Sequence, residues 1–322
     1  MWRAPGMPGL LAMTVLVFAG FGLLLPLSPL WAVQGGADER GAGLVTATLM
    51  LFTVLAQLRV NATLARLGWG WTLVLGLVLL AAPAPVQALS PDLWLVLATS
   101  AVRGLGFGIL TVCGATAISL LVTAEARGRA VGAYGLVIAI PQLALTPAAP
   151  WLLAMFGFPL VASRRASSAG GALLTFTAQL APDTATAVLA LVCLTAAAAL
   201  CRWRIGALSD RWGTRPFVAP MLVVGSAGLV LVGLAGDPWL LIAGALVTGA
   251  AYGGLQSVTL IQAFAEGDDR HRVSVAWNVG FDLGTGLGAV VVGVIAAQSS
   301  FRVAFFALAC ACLVAAAVTR RR

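Results

Sequence analysis

Apolar runs follow one another along almost the whole chain: 9–32, 43–58, 70–89, 93–122, 130–155, 184–201, 216–235, 238–264, 273–297 and 301–319. A hydrocarbon core of ~30 Å takes about 20 helical residues, so the pattern predicts ten membrane-crossing helices. The runs are continuous, whereas barrel strands would read as short alternating segments, so a β-barrel is excluded. Polar breaks such as Ser90–Asp92 and Gly236–Pro238 supply the turns. The stretch 160–182, interrupted by Ser163, Arg164 and Arg165, is ambiguous. The expected fold is an all-α polytopic membrane protein.

Composition supports this reading. Hydrophobic residues make up 61% of the 322 and charged ones 9%, with a mean hydropathy of +1.01, against ~45–50% apolar content in globular chains. The net charge of +8 does not point to nucleic acid, because the arginines stand one or two at a time between apolar runs. One set of breaks holds Arg59 and Arg66, then Arg127 and Arg129, then Arg202, Arg204, Arg211 and Arg215, then Arg270 and Arg272, with the Arg320–Arg322 tail. The alternate breaks are acidic or nearly neutral. That asymmetry places the first set and both termini in the cytoplasm, with the chain in the cell membrane. The first apolar run is too long for a signal peptide and is expected to stay as a helix.

The five cysteines lie in or beside apolar runs without metal or disulfide spacing, and His271 is the only histidine. No metal or cofactor is expected. Neither a nucleophile–base pair nor a GxxxxGK[ST] phosphate loop is visible, which argues against an enzyme or an ATP-driven pump.

The chain repeats itself. Leu58–Gly68 (LRVNATLARLG) matches Trp203–Gly213 (WRIGALSDRWG), and 125–135 (EARGRAVGAYG) matches 268–280 (DDRHRVSVAWNVG). Parallel repeats about an axis along the membrane normal are a transporter architecture, with the substrate path between the halves. The densest charge knot lies in the second copy, Gly206-x-Leu208-Ser209-Asp210-Arg211-x-Gly213-x-Arg215. There a glycine allows close helix approach, another permits a tight turn, and an acid can bond to a helix N-terminus or an arginine.

This knot resembles the cytoplasmic loop signature of the major facilitator superfamily, and 24–31 (LLPLSPLW), 103–108 (RGLGFG) and 277–288 (WNVGFDLGTGLG) are similar to its first, fourth and eleventh helices. The resemblance, closest to the efflux-permease or drug–proton antiporter branch, implies two pseudo-repeated helix bundles: 1–159 and 184–322, joined by a shortened junction at 160–183 that lies outside the membrane or is re-entrant. It also implies alternating-access transport, with Gly206, Asp210, Arg211, Gly213, Arg215, Arg66 and Gly68 forming a cytoplasmic gate loop. The first copy has Asn61 for Gly206 and Ala65 for Asp210, so the gate is one-sided. The stretch 140–150 (IPQLALTPAAP) carries prolines but not the full glycine-rich antiporter signature, so the resemblance implies transport ahead of proton antiport.

Two ionisable residues fall at mid-depth. Arg103 lies roughly 16 Å along its helix from Asp92 and Asp282 about 15 Å from Arg272, at ~1.5 Å per residue. Such charges are costly in a membrane and mark an ion or substrate path or a mutual pair. The expected pathway is Asp282 as the proton or cation site, Asn278 one turn earlier, Arg103 as a cavity residue or the countercharge to Asp282, and Gln142 and Gln256 as cavity residues. A structural hydrogen-bonded network is the alternative. Gly104, Gly108, Gly249, Gly253, Gly284 and Gly288 recur at spacings that let helices pack closely.

Between 159 and 202 only ~45 residues are available, where three crossings need about 60. Most of a sixth helix and the central linker are therefore expected to be missing, with only 184–201 crossing. Two functions follow. One is a secondary transporter of a small organic solute, proton-coupled and exporting, with the lipid bilayer, the solute and protons as partners, working as a monomer. The other is a transporter-derived membrane protein that no longer transports because of the missing helix.

Overall fold

The computed structural model describes residues 6–121, 134, 137–148, 176, 179–266 and 270–320. Its helices are α1 (Met7–Gln34), α2 (Glu39–Ala81), α3 (Pro83–Gln87), α4 (Leu93–Leu121), α5 (Val137–Ala148), α6 (Thr184–Trp212), α7 (Arg215–Gly233), α8 (Pro238–Glu266), α9 (Arg270–Gln298) and α10 (Phe301–Arg320). No strand occurs among the described residues.

Among the described residues the ten crossings expected from the apolar runs are not reached. Eight helices among the described residues are long and apolar enough to span a bilayer, and α5 is shorter. Part of the difference lies in α2, which absorbs two expected crossings: its backbone leaves helical geometry at Gly68 (φ 71°, ψ 173°) and then resumes. The junction at 160–182, with the inferred loss of a helix there, lies outside the described residues except for Phe176 and 179–182.

The helix starts explain the acidic breaks. Asp38 accepts from the Gly41 N–H at 2.9 Å, Asp92 from Trp94 and Leu95 at 3.0 and 3.2 Å, Asp183 from Thr186 at 2.8 Å, and Asp237 from Trp239 at 3.0 Å. Each satisfies a free amide of a first turn and sits at the positive end of a helix dipole. Trp94 and Trp239, 77% and 72% exposed, stand just inside two of these caps, where indoles partition at a membrane interface.

The two copies of the repeat share one frame. At the offset that matches Leu58 to Trp203, Asp38 corresponds to Asp183 and Asp92 to Asp237. Gly68 corresponds to Gly213, whose backbone (φ 74°, ψ 176°) is nearly the same. Both glycines hold a positive φ that side chains resist. A methyl group on Gly104 or Gly108 would strike the carbonyls of Leu49 or Thr53, which presses α4 onto α2. On Gly249 or Gly253 it would strike those of Leu194 or Ala198, which presses α8 onto α6 in the same way.

Packing follows from these contacts. α2 and α4 form one tight pair, with α1 against both; α8 packs on α6 and α7, and α10 on α7. Stacked Phe21 and Phe107, with ring centroids 3.5 Å apart, join α1 to α4. The exception is α9. Although it neighbours α8 and α10 in sequence, its most extensive contact is with α2.

Candidate functional site

The α2–α9 contact is a seam of small residues. A Cβ on Gly43 would lie 2.6 Å from the Ala289 carbonyl oxygen, and one on Gly293 would lie 2.5 Å from that of Glu39. On Gly286 it would come within 3.0 Å of the Met50 Cβ. The backbones meet closely from the Asp38 end of α2 towards its middle, as small residues allow in membrane helices.

Asp282 stands where this seam ends. It is 6% exposed, and Gln57 Nε2 donates to its Oδ2 at 2.7 Å. The same amide nitrogen lies 3.5 Å from Thr111 Oγ1 on α4, and Gln57 Oε1 is buried with no partner among the described residues. One hydrogen-bonded group thus ties α9 to α2 and α4 at mid-depth.

A second polar group lies between α5, α6 and α8, around a small, half-open cleft. Arg202, Gln142, Gln256 and Tyr252 line it with Ala139 and Ala198. Arg202 Nη1 makes a long bond of 3.4 Å to Gln256 Oε1, and the Arg202 carbonyl accepts from Ser257 Oγ at 2.8 Å. Arg202 is no loop residue as the apolar pattern suggested, because α6 continues well past it to Trp212. Its neighbour Arg204 takes a different course, lying 5.2 Å from the centre of the exposed Trp203 ring. The two groups meet through aromatic rings: Tyr252 lies 5.7 Å from Phe281, beside Asp282, and Trp277 stacks on Phe281 at 5.4 Å.

The other expected site residues fall as follows. Arg103 is fully buried but does not pair with Asp282. Its Nη1 donates to Ser28 Oγ on α1 at 3.2 Å, while Nε and Nη2 find no partner among the described residues. The countercharge reading is therefore corrected: Asp282 is held by an amide. Asn278 is half-buried on α9, one turn before Asp282.

In the loop signature, Gly213 makes the turn, its N–H donating to the Ser209 carbonyl at 3.0 Å. Gly206 is not a point of close approach, since a Cβ there would meet only Ser257 Oγ at 3.8 Å. Arg66, Gly68, Arg211 and Arg215 are exposed, and no ion pair joins these arginines to an acid among the described residues. The Asp210 side chain lies outside the described set. Gly284, expected to pack closely, faces open space.

Sequence reasoning missed Gln57 and Tyr252 and assigned Arg202 to a loop. A signal for two of them was present, because Gln57 and Arg202 occupy equivalent positions in the repeat.

The sequence matches the Major Facilitator Superfamily over residues 10–163 and 165–322. Among curated proteins none matches significantly. Among solved structures, the fold is similar to the D-xylose-proton symporter (TM-score 0.81, 12% identity, covering 98% of this chain and 96% of that one). It is also similar to the D323A mutant of the nucleoside transporter NupG (TM-score 0.71, 15% identity, covering 97% of this chain and 99% of that one). A frame doubled along the chain, polar groups buried where its halves meet, and a match over nearly every residue lead to one conclusion: the chain belongs to the Major Facilitator Superfamily.

Proposed function

We propose that the protein is a secondary transporter that moves a small organic solute by alternating access, coupled to a proton carried by Asp282. The reading is carried by one observation, the hydrogen bond from Gln57 to Asp282 across the α2–α9 seam. A carboxylate buried at mid-depth is costly unless paired, and here its partner belongs to the other copy of the repeat. Parting the halves along this seam breaks that bond.

The amide suits both protonation states. Nε2 donates to the carboxylate, and the partnerless Oε1 can accept from a protonated carboxyl once the amide turns. Proton occupancy is thereby linked to whether the seam is shut. The bundles at 1–159 and 184–322 rock against each other, the arginine-bearing face is cytoplasmic with both termini, and the protein works as a monomer in the cell membrane. Export follows from the resemblance to efflux permeases. The Gly213 turn with Asp210, Arg211 and Arg215 serves as the gate loop on the cytoplasmic face.

Asp282→Asn tests the coupling. In proteoliposomes the variant should lose flux driven by a pH gradient while still exchanging solute between two sides at equal pH. Unchanged pH-driven flux removes the proton role. Imposing the gradient in either direction reads export against uptake. The shortened junction favours a second reading, a derivative that no longer transports, and absence of any solute flux in the unaltered protein would establish it.

A further inference from the structure

The two polar groups occupy equivalent places in the repeat, and the comparison leaves one place empty. At the offset that matches Asp38 to Asp183, Gln57 corresponds to Arg202 and Thr111 to Gln256. The geometry agrees, since the Gln57–Thr111 separation of 3.5 Å is matched by 3.4 Å between Arg202 and Gln256. At the slightly shorter offset that matches Arg127 to Arg270 and Arg129 to Arg272, Asp282 corresponds to Ala139. Ala139 lines the cleft that Arg202 faces. In one seam a carboxylate sits against a neutral amide. In the other a guanidinium and a methyl group line one small cleft, with no acid beside them among the described residues.

Among the described residues Arg202 has no acidic partner, and its one side-chain bond there is the long one to Gln256. A half-buried guanidinium lining a cleft matches a carboxylate in shape and charge. We infer that the Arg202 cleft binds a carboxylate of the transported solute, which takes the place that the Asp282 side chain fills in the opposite seam. The substrate class is a small organic acid. Arg202 holds the acid group, and Gln142 and Gln256 offer amides to a neighbouring polar atom. Ala139, Ala198 and the Tyr252 ring accept a short apolar body. This inference rests on the transport reading, but its test needs no flux.

Butyrate, butyramide and butylamine share a carbon skeleton and differ in charge. Thermal unfolding of the full-length protein is followed with each, at matched ionic strength, in detergent and in nanodiscs of phosphatidylcholine with or without phosphatidylglycerol. Butyrate should raise the midpoint, while the amide and amine should not. Arg202→Gln should weaken the response tenfold or more in apparent Kd, and Arg202→Lys should keep part of it.

Ala139→Asp sharpens the test, because it supplies from within the chain the acid that the ligand would bring. That variant should be more stable than the parent without butyrate and blind to butyrate. Equal shifts from butyramide or butylamine, or no shift from butyrate in any setting, would overturn the proposal. So would stabilisation by phosphatidylglycerol that butyrate cannot reproduce, since the guanidinium would then be a lipid headgroup site. Failure of the transport reading shows separately, as absent solute flux with butyrate binding intact.

Discussion

The α2–α9 seam and the α5–α6–α8 cleft are built on the same backbone plan and filled in opposite ways. Glycines set the spacing of α4 on α2 and of α8 on α6 at equivalent residues, so both frames present a polar residue at the same depth. In the first, Gln57 meets Asp282 and the helices close. In the second, Arg202 and Ala139 line a cleft that stays open. A duplicated scaffold keeps its packing rules because backbone collisions are unforgiving. Its polar positions are free to diverge, since each is decided by one partner. Chemistry in this fold is written as the difference between two nearly identical frames.

The frame itself should break first and equally in both halves. Gly104→Ala and Gly249→Ala each drive a methyl group into a carbonyl oxygen of the neighbouring helix. Such overpacking costs about 1–3 kcal/mol or more, read as a lowered unfolding midpoint. Gly284→Ala has open space around it and should gain about 0.5–1 kcal/mol from helix propensity. If Gly104 tolerated alanine while Gly249 did not, the claim of one shared frame would fail.

The polar difference comes next. Gln57→Leu removes the donor to Asp282 and leaves the acid buried without its partner, at a cost of about 1.5–3 kcal/mol when the acid is charged. A double-mutant cycle with Asp282→Asn should return a coupling of that order. Gln57→Arg goes further in the other direction, since it puts into the closed seam the residue its counterpart carries. The resulting ion pair with Asp282 should hold α9 on α2, lowering solute exchange more than it lowers stability. Exchange at the parental rate in Gln57→Arg would mean that this seam does not open during transport.

The turns between paired helices offer a smaller and cleaner comparison. Gly68 and Gly213 hold the same backbone, with φ 71° and 74°, and neither is crowded. Alanine at either position is penalised only by this essentially glycine-only backbone conformation, roughly 1–3 kcal/mol. The two variants should therefore lose nearly equal stability in a chemical unfolding series. A marked inequality would show that the charged loop around Gly213 carries tertiary contacts that the Gly68 loop lacks.

Much of this plan was legible in the residues. Apolar runs gave the helices because a bilayer offers backbone groups no other partner, and the turn glycines showed themselves as the invariant points of the repeat. The helix ends were misjudged where polarity and helicity part company. α6 runs beyond its apolar stretch, so Arg202 was read as a loop marker although it lies on a helix facing a cleft. Asp282 announced itself by its depth, but its partner did not. An amide carries no charge to stand out among apolar neighbours, and Arg103 looked the more natural mate. Which buried groups face each other depends on helix rotation, and periodicity leaves that open when every face of a helix is apolar.

The smallest contrast lies at the helix starts, where a single hydroxyl separates the copies. Asp38 and Asp183 cap α2 and α6 through the N–H three residues on, at 2.9 and 2.8 Å. Gly41 supplies the first of these amides and Thr186 the second, and Thr186 adds a hydroxyl bond to Asp183 at 2.7 Å. A methyl group on Gly41 would meet the Ala37 Cβ at 2.9 Å, so the first copy has no room for the extra donor. In the second, the Thr186 hydroxyl and then its backbone N–H hold the Asp183 carboxyl below the usual carboxylate range. A lowered folded-state value means that the cap is fully present above the unfolded-chain value and is lost as pH falls through the folded one. Thr186→Ala should therefore move the titration of Asp183 back towards the ordinary range, so that the α6 cap fails at a higher pH during acid unfolding. The shift should be slight and shrink further in salt, because the carboxyl is solvent-exposed. Asp183→Asn keeps an acceptor at the cap but not the charge, so it should flatten this part of the acid limb and give up the small charge-dependent share of the cap at neutral pH. If Thr186→Ala left the acid limb unmoved, the hydroxyl would be a bystander, and the two caps would be energetically alike.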